Sequence, residues 1–563
     1  MGVKDLRSWL LVLVSPCVSV IAFPEILNDG VNLAKFLVLG IFSCGLLALL
    51  ISNRRSLNLH KYRLPLISVG LFAVSLLVPL LFSGSPIELQ FYGTYGRNTG
   101  LLTHFFLLLV FVSALTLSKE IIIKRAISGL IIAGSYEALY AILQIMKADP
   151  INWGNRDGWI FGTFFNPNFL SAFLGIASSS IFLVILTWNL NIGLKILLLA
   201  DALLMIFVIV KSESVQGIFT FVASVAVVIF LYIRKFFDSK YLSYGYVLFV
   251  GISIFIAILG FLQKGPFRTY LYQESISFRG DYWKAAFKAF THNPITGVGL
   301  DSFGNWYSFY RSSIAATRHG PDIVTNSAHN IFLDYAASGG IFLLCSYLLL
   351  CFLVIRSIIV IARGSREIDG YFWVVCIGWI GFMLQSVISV NSIGLSVWGW
   401  LFAGLIIGYE KEVVVSPSGK PIEIDKNKSK KLKKPKEIKS TSGRFFALAL
   451  GLLAGFIISL PPVLGDANWK SALGSGNAEK LASSIVAWPK NSYRFERTAA
   501  AYQDSGAADI SLLIIRKSLD FNDRSFDSWR LLSKNVQALQ SERDLAIEKM
   551  KILDPMNEEI SSK

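Results

Sequence analysis

Three of the chain's five histidines, His292, His319 and His329, fall within residues 264–329. Lys264, Arg268, Arg279, Lys284, Lys288, Arg311 and Arg318 lie there too, opposed by Glu274, Asp281, Asp301 and Asp322. A net basic segment suits an anionic substrate such as a lipid diphosphate, because fixed cations hold phosphate oxygens by charge-assisted hydrogen bonds. His329 lies in TNSAHNIFLDYAASGGIFLL. Asn326 or Ser327 can cap the helix that follows, which sets His329 in or beside its first turn, at the mouth of an apolar run. An imidazole there titrates near neutral pH. It can take a proton from an acceptor hydroxyl, or act only as an interfacial or capping residue. Arg279, in SFRGDYWKAAFKAFTHNPITGVGL, can grip phosphate bidentately or pair with Asp281 or Glu274. In the helix expected from about 280 to 290, Trp283 and Phe287 share one face and Lys284 and Lys288 another.

Other polar groups cluster at the ends of apolar runs. Arg156 stands beside Asp157 in GNRDGWIFGTFFNPNFL, and Arg97, in YGTYGRNTGLL, stands where a cation either binds substrate or snorkels. KSESVQG places Lys211, Glu213 and Gln216 at a short turn, where Glu213 can neutralise Lys211. Asn166, Asn168 and Asn293 suit either sugar hydroxyls or helix caps. There is no Walker A loop, dinucleotide fingerprint or Gly-x-Ser-x-Gly elbow. Nor is there zinc spacing, or an Asp-x-Asp pair between the runs. Neither a metal nor a cofactor is expected, so a donor must carry its own activation, as a lipid-linked diphosphate does. Cys17, Cys44, Cys345, Cys351 and Cys376 all lie in apolar runs and read as packing residues.

The elements that must position these residues are membrane helices. The chain has 563 residues, 54% hydrophobic and 16% charged, with 53 basic and 37 acidic residues giving +16. That charge content is well below the roughly 25% of soluble domains, and it excludes an ordinary cytosolic enzyme and a disordered scaffold. Apolar runs lie near 8–24, 32–52, 64–83, 100–118, 126–146, 168–187, 195–210, 216–233, 243–263, 330–355, 371–389, 394–409 and 444–463. Each is close to the ~20 residues of a spanning helix, which predicts an all-α polytopic protein of about thirteen spans. The short WNLNIGLK link leaves open whether 168–187 and 195–210 are two helices.

Alternate connections carry the cations, from Lys4 and Arg7 to the run KNKSKKLKKPKEIKS. The positive-inside rule then places the N-terminus in the cytoplasm and the C-terminus outside. The excess of basic charge thus reports topology rather than nucleic acid. The predicted domains are a transmembrane catalytic unit at 1–410 containing a large extracytoplasmic loop at 264–329, a basic cytoplasmic linker at 411–443, a last span at 444–463, and an extracytoplasmic helical tail at 464–563. Asp520 and Asp554 close two similar helix–turn–helix stretches 34 residues apart. That period resembles tetratricopeptide repeats, which present a concave surface to a protein or peptide partner. A plain helical hairpin packed on the large loop is the alternative.

In chain order, GRNTGLL, RDGWIFGTFFNPNFLSAFL, FRGDYWKAAFKAFTHNPITGVGLDSF and SAHNIFLDYAASGGIFLL resemble the O-antigen ligase and O-antigen polymerase superfamily, over about residues 90–405. Its members are membrane-embedded, extracytoplasmic glycosyltransferases of the C type, and many carry a repeat-containing tail. The resemblance implies a bacterial cytoplasmic-membrane enzyme using an undecaprenyl-diphosphate-linked glycan. A hydroxyl of a glycan, lipid or protein acceptor attacks the anomeric carbon with inversion, and no metal is needed. It implies that His329 is the base or acceptor-orienting group and that Arg279 binds the leaving diphosphate, with Arg156, Arg97 and Lys211 as further diphosphate contacts. Asn330, Asn168, Asn293 and Gln216 are the implied acceptor or sugar contacts. Many members have a Ser-Arg-Gly turn where this chain has Ser214-Val215-Gln216-Gly217, so either Lys211 substitutes or the phosphate contacts differ. Ligases, polymerases and protein O-oligosaccharyltransferases share these motifs. A lipid flippase is the rival class; it should show internal repeats and charges at mid-membrane. The buried candidates for such a role are few: His104, Glu137, Gln144, Asp201, expected to pair locally with Lys195, and Gln385.

Overall fold

Once water is excluded, an apolar run satisfies its backbone groups as a helix, and the regular elements among the described residues are helices. The computed structural model describes residues 3–560, apart from 54–58, 156, 238, 262–263, 269–273, 321, 365–368, 414–440 and 558–559. In chain order the first helices are α1 (Val3–Val20), α2 (Asn32–Ser52), α3 (Arg63–Phe82), the short α4 (Ile87–Tyr92) and α5 (Leu101–Leu115). Then come α6 (Glu120–Ile145), α7 (Pro167–Thr187), α8 (Ile192–Lys211), α9 (Val215–Phe236) and α10 (Lys240–Phe261). A loop module holds α11 (Glu274–His292), α12 (Gly304–Tyr310) and α13 (Ser313–His319). The bundle resumes with α14 (Ile331–Gly364), α15 (Gly370–Ile388), α16 (Ile393–Glu412) and α17 (Thr441–Ser475).

Each of the thirteen apolar runs forms a helix, the one in 330–355 being broken at Gly340. Eleven are long and apolar enough to cross a membrane, while α1 and α5 supply shorter apolar stretches. The doubtful pair is resolved: α7 ends at Thr187, and Asn191 caps α8 by accepting from the Leu194 amide at 2.8 Å. Connections alternate between two faces. On one, Lys61 meets Glu412 at 2.8 Å. On the other, Lys470 donates to the Leu27 carbonyl at 3.0 Å and Ser85 to that of Val298 at 2.7 Å. The basic linker lies largely outside the described residues.

Two close approaches organise the bundle. Helices α2 and α17 cross through small residues, as membrane helices do when packing rather than hydrophobicity drives association. A Cβ on Gly455 would lie 2.4 Å from the Gly40 carbonyl oxygen. The second approach breaks α14. Gly340 (φ 72, ψ −166) leaves the helical region. The Ala337 and Ser338 carbonyls instead accept from the amides of Val298 (2.8 Å) and Gly299 (3.1 Å), and Ile341 donates to the Pro294 carbonyl at 2.7 Å. A Cβ on Gly297 would sit 2.3 Å from Ser338 backbone, and one on Gly340 2.3 Å from the Ile295 carbonyl oxygen. The NPITGVG turn and the SGG break are therefore one backbone joint, which fixes the loop module to the top of α14.

The module has its own core of Tyr282, Ala285, Ala286, Ala289, Phe303 and Tyr307. The face of α11 that packs is thus the Tyr/Ala stripe. Phe287 is exposed, as are Lys284 and Lys288 on the neighbouring face. Helix α17 runs without interruption through Pro461 and Pro462, across the division expected at 463/464, so that Trp469 joins the core of the tail. Beyond it lie α18 (Ala478–Ile485), the packed pair α19 (Ser492–Asp504) and α20 (Ala508–Phe521), and the packed pair α21 (Phe526–Lys534) and α22 (Gln540–Leu553). The tail lies against the loop module. Arg311 grips Asp554 with two bonds, Nε–Oδ1 at 3.1 Å and Nη2–Oδ2 at 2.5 Å, and both side chains are buried.

Candidate functional site

His329 sits just before α14, in the left-handed region at φ 54, where a side chain other than glycine's is strained. The surroundings hold it there. Asp334, one turn into α14, accepts from Ser327 Oγ at 2.6 Å and from the Ala328 amide at 2.7 Å. Ser327 Oγ in turn accepts from the His329 amide at 3.1 Å. Asn330, rather than the expected Asn326 or Ser327, caps α14: its Oδ1 accepts from the Phe332 and Leu333 amides at 3.0 and 3.2 Å. Its Nδ2 reaches the Val387 carbonyl at 3.0 Å, so its amide is engaged by backbone on both sides.

The imidazole follows from that backbone. Nδ1 lies 3.1 Å from the Ser327 carbonyl oxygen. A carbonyl only accepts, so Nδ1 carries the proton and Nε2 keeps its lone pair. Nε2 has no hydrogen-bond partner among the described residues. The ring rests against Tyr282 with centroids 5.2 Å apart. Burial pushes the imidazole down from 6.5 to about 4, opposed by the Ser327 carbonyl and assisted by the cations Arg279 and Arg97. The titration near neutrality expected from an interfacial position is thereby corrected: the group is desolvated and faces two guanidinium ions.

Those cations come from distant segments. Arg97 lies in the loop between α4 and α5. Its Nη1 donates to the Asn326 carbonyl at 2.7 Å, and its Nε lies 3.7 Å from Asp301 Oδ1. Asp301 is itself fixed by the amides of Thr94 (2.8 Å) and Thr99 (3.1 Å). Arg279 is on α11, and burial lowers its pKa. The carboxylate partners considered for it are accounted for differently: Asp281 binds Arg318 at 3.0 Å and Lys284 at 3.6 Å, and the Glu274 side chain lies outside the described residues. Among the described residues no carboxylate bridges to Arg279. Below Arg97 a cavity of about 50 Å³ is lined by Thr103, Asp334 and Tyr335. It shares Phe382 and Trp400 with an apolar cavity of about 20 Å³ against Phe111 and Leu350. Polar lining thus gives way to apolar lining toward the bundle interior.

The remaining sequence candidates fall elsewhere. Asn168 accepts from Ser214 Oγ at 2.8 Å where α7 meets α9. Gln216 is buried there, and neither amide heteroatom has a partner among the described residues. Lys211 is exposed at the end of α8, its ammonium 5.8 Å from the Phe207 ring centre, and among the described residues no ion pair joins it to Glu213. Asn293 Nδ2 donates to Tyr310 at 3.1 Å inside the loop module. Arg156 lies outside the described residues. Sequence reasoning did not single out Asp334 or Asp301 as orienting groups. The signal for Asp334 was available: a carboxylate in an apolar run needs a polar partner.

Residues 200–348 match a family model described as O-antigen ligase. The match contains Arg279, His329, Asp334 and the Gly297–Gly340 joint, and it bears out the superfamily resemblance read from the sequence. No curated protein matches the chain.

Proposed function

We propose that the chain is a metal-independent, inverting glycosyltransferase that ligates or polymerises glycan delivered on undecaprenyl diphosphate. One observation carries this reading. A rigidly held imidazole with its Nε2 lone pair unengaged is flanked by two arginines from separate segments, and His329 and Arg279 lie within the stretch that matches the O-antigen ligase family.

In the reaction His329 Nε2 takes the proton of an acceptor hydroxyl. The acceptor oxygen attacks the anomeric carbon from the face opposite the diphosphate, and the anomeric carbon–oxygen bond breaks. Undecaprenyl diphosphate leaves with the electron pair, and Arg279 and Arg97 stabilise its charge in a water-poor site. The same cations make His329 a weak base in the free enzyme. A bound diphosphate opposes their charge and raises the basicity of the imidazole, which ties proton abstraction to donor occupancy.

This reading places the N-terminus in the cytoplasm of a bacterial cell and the loop module and tail outside its cytoplasmic membrane. The buried polar groups favour a transferase over a flippase. Glu137 accepts from the Thr163 amide at 2.9 Å, and Asp201 accepts from Ser135 at 2.7 Å rather than pairing with Lys195. His104 meets Tyr335 at 3.2 Å and Gln144 accepts from the Gly162 amide at 2.9 Å. Such groups read as internal ties rather than as a substrate path.

The test is transfer from purified undecaprenyl-diphosphate oligosaccharide in detergent with EDTA, with products resolved by mass. Wild type should transfer, and His329→Ala and Arg279→Ala should not. Lipid translocation in vesicles that survives His329→Ala, without transfer by wild type, would replace the reading with a flippase.

A further inference from the structure

A cavity lies between the C-terminal helices and the loop module, away from the bundle. Its volume is about 330 Å³, within the range of small-ligand sites. Asp301 and Asn326 line both this cleft and the small cavity below Arg97, so the cleft shares the residues that hold Arg97, one of the cations acting on His329.

The lining selects a ligand chemistry. Tyr95 and Tyr493 stack face to face at 4.7 Å with 12° between their planes, and both line the cleft with Phe526. Short polar side chains fill the spaces between, among them Asn305, Ser308 and Asn491. Most of the charges are consumed within the walls. Arg530 meets both Asp322 and Asp527 at 2.5 Å, and Asp554 is bound by Arg311. Arg524 lies 3.3 Å from the Trp306 ring centre, and its Nε and Nη2 have no acceptor among the described residues. Aromatic faces, amide and hydroxyl groups, and largely neutralised carboxylates suit a polyhydroxylated chain. The walls offer no strand edge on which an extended peptide could add.

The walls are also held in place. Asp466 of α17 accepts from Tyr95 at 2.8 Å and from the Asn28 amide at 2.7 Å. With the buried Arg311–Asp554 pair this fixes the tail at both ends of the opening, so a ligand meets a preformed site and little ordering opposes binding.

We propose that this cleft is an oligosaccharide-binding site, which holds sugar residues of a substrate beyond the reacting one and leads them toward His329. The identity of the ligand rests on the glycosyl-transfer reading; the site itself is tested by binding.

Two probes separate the sources. One is the free oligosaccharide released by mild acid from the cell's own lipid-linked pool. The other is the intact lipid-linked oligosaccharide, added to His329→Ala protein so that it is not consumed. Hydrogen exchange is followed on the full chain in detergent. The expected result is simultaneous protection of 301–310 and 491–496. Protection by the free sugar assigns the cleft to the acceptor, and protection by the lipid-linked form alone assigns it to the donor glycan. Asn305→Trp, which fills the cleft, and Tyr493→Ala should each weaken binding at least tenfold. Protection of neither wall, or of one wall only, overturns the proposal. So does protection by a serine-rich hexapeptide but not by sugar, which would point to a protein acceptor. Transfer by wild type without cleft protection leaves the transferase standing and removes the cleft. Cleft protection without transfer does the reverse.

Discussion

The bundle interior and the loop junction both bury polar side chains, but they treat them differently. In the bundle, Lys35 donates to the Val18 carbonyl at 3.3 Å and to that of Ser19, and its charge is opposed by Glu137, which is itself bound by Thr163. At the junction, hydrogen bonds accepted by Asp334, Asn330 and the Ser327 carbonyl fix the backbone and ring of His329 yet leave Nε2 unengaged. A buried group whose partners are all internal holds helices together. A buried group whose neighbours are fixed but whose own lone pair is unused is available for chemistry.

The comparison breaks most sharply with two variants. His329→Ala should lower transfer by roughly 10²–10⁴-fold, the scale of a lost general base, with an unchanged melting temperature. Glu137→Leu should do the opposite, removing the carboxylate that opposes the Lys35 charge and leaving the Thr163 amide without its acceptor, at a cost of about 1–3 kcal/mol. Denaturant unfolding in detergent checks it. If His329→Ala unfolds the protein, or Glu137→Leu abolishes transfer in folded protein, the two regions do not divide as described.

Arg311→Ala probes the seat of the tail. It leaves Asp554 buried without its cation, at a cost of about 3–5 kcal/mol, and should raise protease sensitivity between Ser475 and Leu553 while the bundle stays resistant. Equal resistance in variant and wild type would show that the tail is held by other contacts.

A smaller effect is one of pH. His329 is held near 4 in the folded chain, against 6.5 for the free side chain. Its neutral form is therefore favoured by folding: that stabilisation is complete above about pH 6.5 and is lost as pH falls through about 4. Arg279→Gln removes one depressing charge, so the histidine titration should move upward. NMR of the His329 ring in the free enzyme measures this, and an unmoved titration would separate Arg279 from the site.

The smallest expected effect concerns Gln216, the buried amide of the bundle end that has no partner among the described residues. Gln216→Ala should leave the melting temperature unchanged or slightly raised, since an unpaired buried amide is destabilising. It should lower transfer several-fold if that amide faces substrate. Unchanged transfer would place Gln216 with the architecture.

Much of this was legible in the chain. Apolar length specifies each helix because backbone groups in lipid must bond within their own segment, so the thirteen runs became thirteen helices without reference to one another. His329 and Arg279 stood out by type and position, and the family match covers both. Which residues converge was not legible. Arg97, Arg279 and His329 are drawn from three segments, and their meeting depends on the Gly297–Gly340 joint and on Asp301 and Asp334, whose partners lie far off in sequence or across a loop. Local pattern did not say which face of α11 turns inward: its alanines, small enough to pack closely, took the inner face and left Phe287 outside. The neutral imidazole came from the same source: desolvation and two converging cations are properties of assembled surroundings. The sequence determined that these elements are helices and which chemical groups they carry. The tertiary structure alone decided which groups share a site and in what protonation state, because those depend on distances between segments that no local spacing encodes.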